Sequence, residues 1–231
     1  MWDQSAGILT NIMANRYTAG TSSWGTAASV ASFTQGSGGS AQIAMNGSGN
    51  AMVVWEQYDG TFLNIAGISY AAATSSWGTE RQLRLDVGST SGKPQVAIDA
   101  AGNALAVWIQ IDAGTQTIWA SRYTAGTSNI WGTAAKIQAN NTDSASAPWI
   151  AMDPNGNAIA AWMQNDGTLQ NIWAAAYTAG TGWGTAALIE TNSAGRAYYP
   201  RLAFDANGKG LAVWEQDDGS TSSSIWTNRY Q

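Results

Sequence analysis

The sequence predicts an all-β protein assembled from copies of one antiparallel unit, and three observations carry that prediction. Trp2, Trp55, Trp108, Trp162 and Trp214 recur at intervals of 53, 53, 54 and 52 residues, each followed two positions later by Gln. Self-similarity at such a period marks a repeat array. The matching segments are short, rich in Val, Ile, Trp and Tyr, and bounded by Gly, Asn, Asp and Ser, which is the pattern of strands. The stretch around Trp108, NALAVWIQ, is apolar at nearly every position, so it reads as a strand buried on both faces.

Each unit holds four such segments. The first, PQVAID at 94–99, is matched at 148–153, at 200–205 and more weakly at 41–46. A tight turn follows, as in Asp153-Pro-Asn-Gly-Asn157. Its Asp or Asn accepts backbone N–H groups, and its Gly permits positive φ. The Trp stretch is the second segment, with Ala104, Ala106 and Trp108 on one face and Leu105, Val107 and Ile109 on the other. A polar loop then carries Asp59, Asp112, Asp166 or Asp218. The third segment resembles IWASRY and ends at Tyr17, Tyr70, Tyr123, Tyr177 or Tyr230. The fourth opens with Trp-Gly-Thr at Trp24, Trp77, Trp131 and Trp183. A link of about ten residues leads to the next unit.

Four strands with tight hairpins and one longer link describe a blade of a β-propeller. The expected fold is therefore a β-propeller of four-stranded antiparallel blades. The array opens at a second strand and ends at a third, so five blades with incomplete terminal blades are expected. A segment of a longer array, or four blades with a spare hairpin, are the alternatives. The expected organisation is a single domain over 1–231, with units near 1–40, 41–93, 94–147, 148–199 and 200–231. The chain starts in mid-repeat at Met1-Trp2, which leaves room for a part upstream.

The run PxIAxDxxGNAxAVW resembles the NHL type of propeller repeat. The whole unit, with its NIWAxRYTAGTxWGTAA half, is similar to Trp-rich repeats of about 53 residues in large bacterial surface proteins and lipoproteins. The resemblance implies a Pro-led strand at the central channel, a Trp-Gly-Thr strand at the rim, and a secreted or surface location. It implies no particular activity.

Composition narrows the function. Ten Lys plus Arg stand singly in a chain of net charge −5, which argues against a nucleic-acid partner. No apolar run approaches the ~20 residues of a spanning helix, so membrane insertion is not expected. Cys and His are absent, which removes their nucleophile, acid–base and metal-ligand roles. The Asp-x-x-Gly-Asn turns supply too few oxygens for a calcium loop, and no metal or other cofactor is expected. The Asp-to-Gly and Gly-to-Trp steps also differ from those of a sialidase Asp-box.

On the propeller layout the second-to-third loops and the links share one face. That face gathers Asp3, Glu56, Asp59, Asp112, Asp166, Glu215, Asp217 and Asp218, with Asp86, Asp143 and Glu190 from the links. Variable loops on a rigid scaffold are where binding usually resides. The candidate ligand-binding residues are accordingly Asp59, Asp112, Asp166 and Asp218, with Trp149, Tyr198 and Tyr199 nearby. Trp119, Trp173 and Trp226 are a second aromatic set, because Met13 and Ala66 replace them in two copies. The function expected from these features is a noncatalytic recognition or display module for a neutral glycan or a protein segment, as a monomer or associating end to end through its incomplete terminal blades. A structural spacer is the alternative, and a glycosidase-like enzyme using a carboxylate pair comes third.

Overall fold

A computed structural model describes residues 1–6, 9–31, 37–83, 91–126, 130–138, 143–191, 195–219 and 222–230. Among them the only helical element is a 3-10 turn at Ala19–Thr21, and the rest is strand, turn and loop. Three repeats form full sheets. The third runs Ser91–Ile98, Ala104–Asp112 and Thr115–Thr124, then two short pieces, Ile130–Trp131 and Ala135–Lys136. The second (Gly38–Met45, Ala51–Tyr58, Leu63–Ala71) and the fourth (Ala145–Met152, Ala158–Asn165, Gln170–Thr178) repeat this order with their own outer pieces. The first sheet comprises Trp2–Ala6, Leu9–Ala14 and Ala28–Ser29, and the fifth Ala197–Phe204, Gly210–Asp217 and Ser223–Tyr230. All pairings are antiparallel.

The rim segment differs from the expected single strand. Trp131 pairs with Tyr123 and Ala135 with Ala120, so three residues face two and the strand breaks at a bulge. Gly132 N still donates to Arg122 O, at 2.8 Å. Each Trp of Trp-Gly-Thr packs on the Tyr opposite it, edge-on and 5.0 Å apart for Tyr70 and Trp77 and tilted for Tyr123 and Trp131. The same count of three against two recurs in the second and fourth sheets.

The sheets stack face to face in chain order, and the alternation in the Trp strand decides how. Ala106 and Trp108 pack on Val54, Ile65 and Leu83 of the preceding sheet. Leu105, Val107 and Ile109 pack on Ala158, Ala160 and Trp162 of the next. Trp55, Trp108 and Trp162 are fully buried, and each such ring removes ~150–250 Å² from water. The Pro-led strands neighbour one another along the inner side of the stack. Among the described residues no strand of the fifth sheet pairs with the first. The outward face of the fifth is open, with Leu211 and Ile225 exposed.

Candidate active site

The inner strands share one irregularity. Each slips register against its second strand, between Gly39 and Gln42, Gly92 and Gln95, Ser146 and Trp149, and Tyr198 and Arg201. At each slip one non-glycine residue takes positive φ: Ser40 at 52°, Lys93 at 55°, Ala147 at 47° and Tyr199 at 51°. That conformation costs about 1–2 kcal/mol for a residue with a Cβ. Three of the four also precede a proline, which further disfavours any helical backbone. Backbone strain held at equivalent places in four sheets points to a site. The bulge side chains vary, and Ser40, Lys93 and Tyr199 are exposed.

The bulge turns a backbone N–H toward the preceding sheet, where it meets the residue between Trp and Gln of the second strand. Lys93 N donates to Glu56 Oε1 at 2.7 Å, and Tyr199 N to Met163 Sδ at 3.1 Å. That in-between position is Asp3, Glu56, Ile109, Met163 and Glu215 in the five copies. Glu56 also accepts from Ser40 Oγ at 2.9 Å, and it faces Gly39 across the ladder. Asp3 reaches the same bulge from the first sheet. Its Oδ2 lies 4.0 Å from where a Cβ on Gly39 would sit. Asp3 and Glu56 thus approach the Gly39-Ser40 bulge from adjacent sheets, and a pair of carboxyl groups is what glycoside cleavage requires. Gly92 completes the fit, since a Cβ there would lie 3.1 Å from Glu56 Oε1.

Around the fifth sheet's bulge the aromatic candidates gather. Trp149 Nε1 donates to Leu202 O at 3.4 Å, and the Arg201 guanidinium lies over the Trp149 ring, 4.4 Å from its centre. The Tyr198 hydroxyl donates to Asp217 Oδ2 at 3.3 Å, and the rings of Tyr198 and Tyr199 are 6.1 Å apart.

Asp59 and Asp166 bind their own loops. Asp59 accepts from the backbone N–H of Phe62 and Thr61 and from Asn64, and these donors hold its carboxyl below the usual range. Leu169, Thr168 and Asn171 do the same for Asp166. Burial pushes Asp112 up, but donation from Thr117, Trp119 and Lys136 outweighs it and the carboxyl is lowered. Asp218 is exposed, and its N–H donates to Ser222 O. Trp119, Trp173 and Trp226 are half-buried at the sheet interfaces. Asp86 lies outside the described residues. In three copies the Gln of the Trp stretch takes the indole N–H of its own strand's Trp: Trp55 to Gln57 at 2.9 Å, Trp162 to Gln164 at 2.9 Å and Trp214 to Gln216 at 3.0 Å. Among the described residues no three carboxylates gather as a metal site.

The sequence alone does not disclose the pairing of Asp3 with Glu56 or the parts of Ser40 and Lys93. The available signal was the one variable position inside an otherwise regular Trp-x-Gln motif.

This architecture is β-propeller-like. An α-L-arabinanase of Penicillium chrysogenum aligns with 82% of this chain and 61% of its own at a TM-score of 0.52 and 14% identity. A polysaccharide lyase, an ulvan lyase, aligns with 84% of this chain and 55% of its own at a TM-score of 0.53 and 10% identity. A leech intramolecular trans-sialidase aligns with 90% of this chain and 34% of its own at a TM-score of 0.51 and 15% identity. The chain thus spans between a third and two thirds of the length of these proteins, and at such identities the likeness is one of fold. No family model and no curated protein matches the sequence.

The comparison corrects the expectation of a noncatalytic recognition or display module, and with it the expectation that the protein is not an enzyme. The arabinanase and the ulvan lyase that share this fold are named as enzymes acting on glycans. The absence of His and Cys does not bear against such chemistry. Breaking a glycosidic bond needs two carboxyl groups and neither of those residues.

Proposed function

We propose that the protein is a carbohydrate-active enzyme of glycosidase type, acting where Trp2–Ala6 of the first sheet meets the inner strands of the second and third sheets. The observation that carries this is the approach of Asp3 and Glu56, from adjacent sheets, to one strained bulge at Gly39-Ser40. Glu56, oriented by Lys93 N and Ser40 Oγ, acts at the anomeric carbon, either attacking it or activating water. Asp3, which makes no hydrogen bond among the described residues, hands a proton to the departing glycosidic oxygen as the C–O bond breaks. In the same proposal the five repeats are five blades of one domain on a secreted or surface protein. Polymeric glycans do not cross membranes, which supports that location.

The test is release of reducing ends from arabinan, galactan and polygalacturonate, with absorbance of unsaturated products followed in parallel. Expected is reducing-end release without unsaturated products. Glu56→Gln and Asp3→Asn should each lower it at least ~100-fold with the circular dichroism unchanged. Cleavage that survives both substitutions would remove the pair from the mechanism. Unsaturated products would replace hydrolysis by elimination.

A further inference from the structure

The second residue after each bulge is Gln42, Gln95, Trp149 and Arg201 in the four inner strands. Only between the fourth and fifth sheets does this position set an indole against a guanidinium. Arg201 is exposed, yet it is held in place twice. Its Cζ stands 4.4 Å from the centre of the Trp149 ring, and its Nη1 donates to Pro200 O at 2.9 Å. Trp149 is itself fixed by donating to Leu202 O. Among the described residues no carboxylate forms an ion pair with Arg201, whereas Lys136 has Asp112 at 3.3 Å. Asp217, the acid next to this cluster, accepts instead from the hydroxyls of Tyr198 and Ser223.

From this arrangement we infer that Arg201, Trp149 and Tyr199 form a subsite for the carboxylate of a uronic-acid residue in the glycan. The inference rests on the reading of the protein as a carbohydrate-active enzyme and names its substrate class. Stacking on the indole covers one face of the guanidinium and leaves edge N–H groups open. A planar fork of donors matches a planar carboxylate in two parallel hydrogen bonds. The adjacent bulge presents Tyr199, 55% exposed, as a ring on which a sugar face can lie. The acidity of the wider face speaks for neutral glycans only at long range. At physiological ionic strength charges beyond about 8 Å are largely screened, so the pinned guanidinium in contact with the sugar decides.

The experiment is titration calorimetry of a galacturonic acid tetramer on protein carrying Glu56→Gln, which keeps the probe intact. Its methyl ester and a sulfated galactose tetramer are the comparison probes. The acid form should bind about 10- to 100-fold more tightly than the ester, the span carried by a charge-assisted hydrogen bond. Arg201→Gln should erase that preference, Arg201→Lys should keep only part of it, and Trp149→Phe should weaken it. Equal affinity for acid and ester, or a preference untouched by Arg201→Gln, overturns the subsite. Tighter binding of the sulfated probe overturns the carboxylate assignment. Because binding is read without turnover, an Arg201-dependent preference stands even if no glycan is cleaved by the unsubstituted protein.

Discussion

The indole N–H groups divide the central tryptophans into two kinds. Trp162 donates to Gln164, whose side chain is 1% exposed, while Trp108 Nε1 has no partner among the described residues. Trp162→Phe strands a buried amide and Trp108→Phe does not. The first should therefore cost about 1 kcal/mol more than the second in urea denaturation. Equal losses would remove the hydrogen bond as the reason for the Gln. Glu190 gives a second residue-scale prediction. Burial, with the nearby charge of Asp166, raises its carboxyl to about 7 although Ile172 N donates to it. In the third sheet Gln138 takes the same role, accepting from Ile118 N and donating to Asp143 O. An unfolded Glu titrates near 4.5, so between that pH and about 7 the unfolded chain loses a proton that the folded chain keeps. Stability should therefore fall across that window and stay level above it. Glu190→Gln should remove the fall and raise stability at pH 8 by about 1–3 kcal/mol. Urea midpoints at pH 4.5 and pH 8 measure this, and an unchanged pH dependence would refute it.

At the scale of the element, the turn between first and second strands is also a joint between sheets. Asp99 Oδ1 accepts from Asn103 N and Oδ2 from Asn103 Nδ2, both at 2.8 Å. A Cβ on Gly156, in the next sheet's turn, would lie 3.0 Å from that same Oδ2, and Gly156 has φ of +90°. Gly167, in a second-to-third loop, has φ of +94° but open space around it. Gly167→Ala should thus cost only the backbone strain, about 1 kcal/mol. Gly156→Ala should cost more, ~2–4 kcal/mol, because the 5%-exposed Asp99 carboxylate must move or lose its partners. Thermal unfolding of the two variants separates these effects, and equal losses would show that the two turns do not press on each other.

Across the whole molecule, contact runs from each sheet to the next, as in linear repeat arrays. Trp55 packs with Ile12 and Val30 of the first sheet, and Trp162 with Leu105 and Val107 of the third. The two rings share no neighbours in these clusters. Each truncation to Ala should destabilise by ~3–5 kcal/mol, and the double variant should match the sum within about 0.5 kcal/mol. A larger departure in denaturant titrations would mean that strain travels through the intervening sheet.

Much of this architecture was legible in the sequence because its causes are local. A Trp every fifty-odd residues, Asp-x-x-Gly turns and a strand apolar on both faces each follow from nearby side chains and backbone. The face assignment of Ala106 and Trp108 against Leu105, Val107 and Ile109 is what the structure shows, since strand alternation allows no other division. The candidate site was not legible for the opposite reason. Local preference argues against positive φ at Lys93 and Tyr199 before proline, and only pairing with the second strand enforces it. Asp59 and Asp166 look available in sequence, but three-dimensional turns claim their oxygens. Asp3 and Glu56 lie one repeat apart in the chain and become neighbours only because adjacent sheets stack in register. Repetition thus disclosed the scaffold from within each unit. Which carboxylates meet is a relation between units, and it arises from the stacking.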